Sequence, residues 1–353
     1  MPLEVRPTWA AECHQMLLWL AGRISDQAIA RARSRLASGH RSNMALDLLH
    51  ELLLGDVPLP EADEDLLAEL LEADGHDSSP LDDLPPAGPD PLPPPYDFAP
   101  LLDGVRGGDP IRDDLAAPDV AAIEAVADAS GVRSLWRSWR TPAQSGAQPP
   151  KRVYVVEAIQ RLDLPRLTGI VQRSLEATGD ADPQVETYAI GDQLPLYQRL
   201  ARSRGRLLWT PQPAPPPLLA PVFDEADGLA GPCFYPHHPR MDLVEALQVA
   251  DYLWAGEPLL ISPDRLDDVL DPCRSKAVPV DFRTDGTWIW TDATTYYLEE
   301  YGLEPPSALL AHIRAADYRA PTVDTAARHR AVAFLTGSDC SVTTTGETEP
   351  VPR

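Results

Sequence analysis

Residues 282–292, FRTDGTWIWTD, predict a tight β-hairpin that runs directly into a helix. Apolar and polar residues alternate on both sides of the centre, which is the two-residue period of a strand. Asp285 and Gly286 lie between the two strands, and this pair favours a tight turn because glycine readily adopts a positive φ. Asp292 is predicted to cap a helix that ends before Gly302. The stretch indicates local structure and carries no activity of its own.

The net charge limits the classes of partner. The chain has 353 residues, 44% of them apolar, and a formal net charge of −24. This length and composition are typical of a globular protein with a sizeable core and room for two domains. A surface with this much negative charge repels phosphate and anionic lipid. We therefore expect neither direct contact with nucleic-acid phosphate nor binding to a membrane. The charge favours a basic protein partner, or serves solubility alone.

The cysteines indicate a reducing environment. Cys13, Cys233, Cys273 and Cys340 are far apart and form no C-x-x-C pair, which argues against a zinc ribbon and against a disulfide framework. The N-terminus lacks the basic-then-apolar pattern of a signal peptide. No apolar run approaches the roughly 20 residues of a membrane span. Together these features predict a cytoplasmic protein.

The order of the patterns predicts an α+β or α/β fold with five segments. They are an N-terminal helical unit (1–75), a Pro/Asp-rich linker (76–117), an α/β module (118–210), an α+β module packed on it (211–335) and a disordered tail (336–353). The chain has 39 prolines, and the linker is predicted to be stiffened by its share of them. Within the α+β module, residues 264–270 are predicted to form a short acidic helix.

The α/β module has the clearest periodicity. Short apolar runs at 153–156, 185–190 and 207–209 predict three strands with two helices between them, a βαβαβ order that resembles half of a doubly wound sheet. The first strand is followed by EAIQ and not by a glycine-rich loop, so the backbone cannot closely approach a pyrophosphate. No cofactor is therefore predicted. Glu157 ends the first strand, where such folds place functional groups.

A basic and aromatic segment, RSLWRSWR, precedes this module at 133–140. Arginine and tryptophan side chains together can stack on bases or hold an anion, so the candidate binding residues are Arg133, Trp136, Arg137 and Arg140. The alternative is that the tryptophans pack into the core while the arginines neutralise nearby carboxylates. The acidic surroundings favour this alternative, because they oppose an anionic ligand.

Cys233 and His237 form the most site-like group elsewhere in the chain. Their Cys-x-x-x-His spacing can place two ligands on one metal ion, and a thiol beside an imidazole can also act as a nucleophile. A tetrahedral metal site needs two further ligands, and none lies at motif spacing. A surface loop bounded by prolines explains the two residues equally well.

Three stretches near the hairpin carry a resemblance to a known class of protein. Residues 251–253 (DYL), 283–290 (RTDGTWIW) and 296–302 (YYLEEYG) resemble stretches of uncharacterised actinobacterial proteins, some of the immunity type that partners polymorphic toxins. The resemblance covers about residues 241–302 and includes no catalytic motif. It implies a role in protein binding. Trp288 and Trp290 are the candidate binding residues of this segment.

These observations favour a non-enzymatic, acidic interaction protein that binds a basic protein, of the immunity or antitoxin type. No catalytic residue is predicted, because the chain contains no G-x-S-x-G, H-E-x-x-H or kinase motif. The first alternative is an α/β enzyme or small-ligand-binding protein with an anion-binding arginine cluster near Glu157. The second is a structural component of a larger assembly, held by the N-terminal helices.

Overall fold

The computed structural model describes residues 9–87, 94–100, 116–143, 149–160, 163–226 and 231–337. Parts of the predicted linker, 88–93 and 101–115, lie outside the described residues, as does the predicted tail beyond 337. The chain divides into two compact units, one ending at Pro213 and one beginning at Ala214. Helices come first and mixed sheets follow, which confirms the predicted α+β or α/β class.

The N-terminal helices of the first unit pack around one apolar core. Among residues 9–87 they are α1 (Trp9–Leu20), α2 (Asp26–Ala37), α3 (Arg41–Gly55) and α4 (Glu61–Ala73), followed by a 3₁₀ turn (Ser79–Asp83). Their leucine-rich stripes face inward, so Leu17, Leu48 and Leu67 are almost fully buried. The hydroxyl of Ser25 caps α2 by accepting a hydrogen bond from the N–H of Ala28.

A mixed sheet forms the rest of the first unit. In the described part of that unit its strands are β1 (Tyr96–Ala99), β2 (Val132–Pro142), β3 (Lys151–Ala158), β4 (Gln184–Ala189) and β5 (Arg206–Trp209). The order is β1-β2-β3-β4, and β5 pairs with β2. Its helices are α5 (Ala117–Ala127), α6 (Leu164–Glu176) and α7 (Leu196–Ser203). β1 falls inside the predicted linker, where buried Phe98 anchors it.

The βαβαβ order forms, but its strands do not make one parallel sheet. β3 and β4 are parallel, whereas β5 is antiparallel to β2. β4 occupies one edge of β3 and β2 occupies the other, so β5 cannot pair with β3. It pairs instead with the opposite edge of β2. The likeness to a doubly wound sheet therefore extends only to the β3-α6-β4 crossover.

The second unit surrounds a smaller sheet with helices. In the described part of this unit, β6 (Leu218–Leu219), β7 (Glu257–Leu260), β10 (Phe282–Thr284) and β11 (Trp288–Thr291) pair in the order β6-β11-β10-β7. β8 (Arg265–Leu266) and β9 (Val278–Pro279) pair antiparallel in a separate two-stranded ribbon. The helices are α8 (Leu243–Ala255), α9 (Asp292–Tyr301), α10 (Ser307–Ala315) and α11 (Thr325–Thr336).

The hairpin forms as predicted, apart from its helix cap. β10 and β11 pair antiparallel around Gly286, whose φ is +91°, and α9 ends at Tyr301, followed by its C-cap Gly302 with φ +68°. Asp292 is the first helical residue and does not cap the helix. Its carboxylate instead accepts a hydrogen bond from the Nε of Arg283 at 2.7 Å. The sequence interpretation missed this because the arginine comes from the opposite strand.

The predicted acidic helix over 264–270 is wrong. Residues 265–266 form β8, and the carboxylate of Asp268 accepts hydrogen bonds from the N–H groups of Leu270 and Asp271. Aspartate side chains that bond to the backbone two and three residues ahead stabilise turns at the expense of a helix. The repeated aspartates of this segment therefore favour a turn.

Candidate functional site

The basic and aromatic segment forms β2, in the interior of the sheet. Trp136 is fully buried, and Arg137 and Arg140 are nearly so. The Nε of Arg137 lies 3.5 Å from the Asp119 carboxylate, and Arg140 donates to the Asp26 carboxylate at 2.6 Å. This is the arrangement in which the arginines neutralise carboxylates, so neither guanidinium is open to an anionic ligand.

Arg133 is placed differently from these arginines, because it is exposed. It lies in a β-bulge, where the pairing of β2 with β3 shifts between Val132 and Ser134. The bulge faces the carboxyl end of β3 at Glu157 and Ala158. Bulges are common beside functional sites because they redirect a side chain. Of the predicted arginines, this one is both exposed and close in register to Glu157.

Glu157 is buried and belongs to a hydrogen-bonded network at the ends of β3 and β4. Its Oε2 accepts from the hydroxyl of Ser134 at 3.1 Å, and its Oε1 accepts from the hydroxyl of Tyr188 at 2.9 Å. The Nη1 of Arg202 in turn donates to the Tyr188 oxygen at 2.7 Å. Burial, with the Glu157 charge nearby, raises the pKa of Tyr188, so the phenol stays protonated and acts as the donor to Glu157.

A cavity of about 400 Å³ lies beside this network, lined by Asp192, Gln193, Leu194, Arg199 and Arg202. Its two arginines are three residues apart on α7, which places them on one face of the helix. Sequence reasoning missed them. The usable signal was an Arg-x-x-Arg pair in the helix that follows the predicted strand at 185–190, in a chain where acidic residues dominate.

A second cavity, of about 510 Å³, lies between α1 and α4, and we call it the acidic groove. It is lined by Ala11, Glu12, Gln15, Ala62, Asp63, Asp65, Leu66 and Glu69. Burial raises the pKa of Asp63 to about 6. The groove escaped sequence reasoning because it depends on how two helices pack, although the dense carboxylates of α4 were visible.

At the hairpin tip, the carboxylate of Asp285 is almost fully buried and accepts four hydrogen bonds. Its Oδ1 accepts from the N–H groups of Thr287 and Trp288 at 2.8 and 2.7 Å. Its Oδ2 accepts from the hydroxyl of Tyr252 and from the Nε2 of His312, each at 2.7 Å. One side chain thus joins the turn to α8 and α10. This is a structural role that the sequence interpretation did not foresee.

The two candidate tryptophans of the hairpin have different surroundings. Trp290 is fully buried, and its indole N–H donates to the carbonyl of Leu253 at 3.2 Å. Trp288 is partly exposed, and its ring centre lies 6.5 Å from that of His312. Trp290 is therefore part of the core, and of the pair only Trp288 offers surface to a partner.

Cys233 and His237 lie in a loop that is held by other residues. The backbone of Cys233 pairs with that of Glu225, and the ring of His237 stacks on Tyr235 at 5.7 Å. The neighbouring His238 forms hydrogen bonds that hold the loop, with its Nδ1 2.9 Å from the Asp224 carboxylate and its Nε2 3.0 Å from the carbonyl of Glu304. In the described part of the chain, no three His, Cys, Asp or Glu side chains are grouped so that they could hold a metal ion.

None of the helices in the described ranges combines the length and the apolar composition needed to cross a membrane. The resemblance of residues 241–302 to immunity proteins remains a prediction. Compared with known proteins, the chain matches no family model, no curated protein and no solved structure. The geometry of the sites is therefore the basis for a functional argument.

Proposed function

We propose that the protein is a non-enzymatic binder of a basic protein, and that the acidic groove receives a cationic segment of that partner. The observation that supports this is the lining of the groove. Glu12, Asp63, Asp65 and Glu69 contribute four carboxylates, and the described residues around the cavity include no cationic side chain. Ala11, Ala62 and Leu66 add apolar surface to the lining.

The electrostatics of the groove favour a cation from outside the chain. None of its four carboxylates forms an ion pair with a residue in the described part of the chain. The raised pKa of Asp63 shows that burial already disfavours its charged form. A lysine or arginine from the partner would offset that cost, because an opposite charge within a few ångströms favours the ionised carboxylate.

A basic toxin is the class of partner that fits this chemistry. The formal net charge of −24 would attract such a protein over long range and accelerate its capture. The resemblance of residues 241–302 to immunity proteins supports the same class. Neutralisation by tight binding requires no catalytic group, which agrees with a chain that has no catalytic motif.

Fluorescence anisotropy with a labelled amphipathic peptide rich in lysine and arginine tests the role of the groove. The variant D63N/E69Q removes two carboxylates of the lining and should weaken binding by about tenfold, which corresponds to about 1.4 kcal/mol. The matched control E124Q/D128N makes the same change of charge on the exposed face of α5 and at its C-cap, away from the groove. The control should retain affinity within about twofold, because exposed charges contribute little.

Two results would contradict this proposal. Equal weakening in both variants would show that only overall charge attracts the peptide. Unchanged affinity in D63N/E69Q would show that the groove is not where the peptide binds. Raising the salt concentration should weaken binding to the native protein more than binding to D63N/E69Q, since that variant has lost part of the screened attraction.

A further inference from the structure

We infer that the cavity beside α7 is a binding site for a small molecule that carries an oxyanion, either a phosphoryl or a carboxylate group. Its volume of about 400 Å³ falls within the range of small-molecule sites, which is roughly 300–1,000 Å³. The cavity lies where β4 ends and α7 begins, beside the carboxyl ends of the parallel strands β3 and β4. In α/β sheets, ligands bind at this end of the strands.

Arg202 is held in place before any ligand arrives. Its Nη1 donates to the Tyr188 oxygen at 2.7 Å, and its guanidinium carbon lies 5.5 Å from the centre of the Tyr188 ring. Tyr188 is fixed in turn by its hydrogen bond to the buried Glu157. No described residue accepts a hydrogen bond from the remaining nitrogens of Arg202. A guanidinium fixed in this way loses little conformational entropy when it binds an anion.

Arg199 supplies the second positive charge. It is exposed and lies on the same face of α7 as Arg202, and its side chain forms no hydrogen bond or ion pair within the described residues. Three buried arginines of the same unit, Arg33, Arg137 and Arg140, each lie within 4 Å of a carboxylate of the chain. Arg199 and Arg202 line one cavity and form no ion pair with a carboxylate of the described residues, so both positive charges are available to an anion from outside.

The other lining residues restrict the ligand further. The Oδ2 of Asp192 accepts hydrogen bonds from the N–H of Ala189 at 3.0 Å and from the Nε2 of Gln15 at 3.4 Å. Its Oδ1 accepts none from the described residues, so it can accept from a hydroxyl or ammonium group of the ligand. The ligand class is thus a small molecule with an oxyanion for the arginines and a hydrogen-bond donor for Asp192. Glu157 and Tyr188 act as positioning residues for Arg202.

Isothermal titration with sodium phosphate and with sodium malonate, at ionic strength held constant with sodium chloride, tests the site. Arg199 is the residue to change first because its side chain has no polar partner within the described residues, so R199Q should fold normally. R199Q should bind about tenfold more weakly, the effect of losing a charge-assisted hydrogen bond. The matched control R204Q removes an exposed arginine from the C-cap of the same helix, outside the cavity lining, and should stay within about twofold.

A second variant tests how Arg202 is positioned. Y188F removes the oxygen that holds Arg202, and it should weaken binding severalfold in the folded protein while Arg199 remains intact. Binding of phosphate alone would identify a phosphoryl ligand, binding of malonate alone a carboxylate ligand, and either result supports the site. Absence of heat with both anions at millimolar concentration would overturn the inference. Equal losses in R199Q and R204Q would also overturn it, because they would show attraction to overall charge.

Discussion

Glu186 in the first unit and Asp285 in the second are both buried carboxylates, and the protein satisfies them in different ways. Glu186 receives the guanidinium of Arg33, with nitrogen–oxygen distances of 2.8 and 2.6 Å, although 153 residues separate the two in sequence. Asp285 accepts two backbone N–H groups, a tyrosine hydroxyl and a histidine nitrogen.

The difference concerns what each carboxylate holds together. The Arg33–Glu186 pair joins a helix of the N-terminal group to the edge strand of the sheet, and both side chains are almost completely inaccessible to solvent. Removing one member of a buried ion pair leaves an uncompensated charge. Asp285 organises a turn mainly through neutral donors. Its loss leaves hydrogen-bond donors without an acceptor, but it does not leave a buried charge without its counter-charge. Loss of the ion pair should therefore cost more.

The largest effect is expected from R33M. This variant leaves Glu186 buried with the Nε2 of Gln198, at 2.8 Å, as its remaining side-chain donor. The free energy of unfolding, measured by chemical denaturation, should fall by about 3–5 kcal/mol. The double variant R33M/E186M should recover most of this loss, because well-packed apolar residues can replace a buried ion pair.

R31Q provides the matched control for R33M. It removes a neighbouring arginine of α2 whose contact with Asp47, at 3.5 Å, is half-exposed. Exposed ion pairs contribute about 0–1 kcal/mol, so R31Q should change stability little. If R33M costs no more than R31Q, the comparison between the two buried carboxylates fails.

At constant neutral pH, substitution of Asp285 should have the next largest effect. D285A leaves four donors without their acceptor and should cost roughly 2–3 kcal/mol, whereas D285N should cost less, because its amide oxygen can still accept from Thr287 and Trp288. Chemical denaturation measures both values. D251N, at an exposed position on α8, is the control and should change stability little. Equal losses in D285A and D285N would show that the charge matters more than the hydrogen bonds.

His14 makes the first unit sensitive to acid. Its Nε2 donates to the carbonyl of Thr187 at 2.8 Å, and burial lowers its pKa from 6.5 to about 4. Between pH 4 and pH 6.5, His14 is therefore protonated in the unfolded chain but neutral in the folded chain. Its contribution to stability is complete above pH 6.5 and is lost as the pH falls towards 4. The loss should approach about 1.4 kcal/mol for each pH unit in that window.

Denaturation of the native protein and of H14Q across this pH range measures the loss. H14Q retains a side-chain donor for the Thr187 carbonyl but has no group that titrates. Its stability should therefore decline less steeply between about pH 6.5 and pH 4. Parallel curves for the two proteins would show that other groups cause the acid sensitivity.

Local sequence patterns predicted the elements that depend on neighbouring residues. β3 is a continuous apolar run, and the hairpin has Asp285-Gly286 at its turn, so both were predictable. β2 was not recognised as a strand, because its buried arginines have the sequence pattern of a surface segment. Their burial is possible because Asp26 and Asp119, which are remote in sequence, lie opposite them in the fold.

The same reasoning applies to the candidate sites. Glu157 was placed correctly at a strand end, because the end of an apolar run is visible in the sequence. The arginine cavity was missed because it forms where α7 packs after β4, and the acidic groove because α1 and α4 are about 50 residues apart in the sequence. Sites built from distant elements have no local period, so the sequence alone could not locate either cavity.

The smallest expected effect concerns Asp63, which responds to acid in the opposite sense to His14. Burial raises its pKa from 3.8 to about 6, so its contribution to the stability of the free protein is present below pH 3.8 and is lost as the pH rises through 6. A bound cationic peptide favours the ionised form, so its affinity should fall severalfold between about pH 7 and pH 5. D63N should bind more weakly at neutral pH and lose this part of the pH dependence. Anisotropy at the two pH values measures both effects, and an identical pH dependence in D63N would place the titrating group outside the groove.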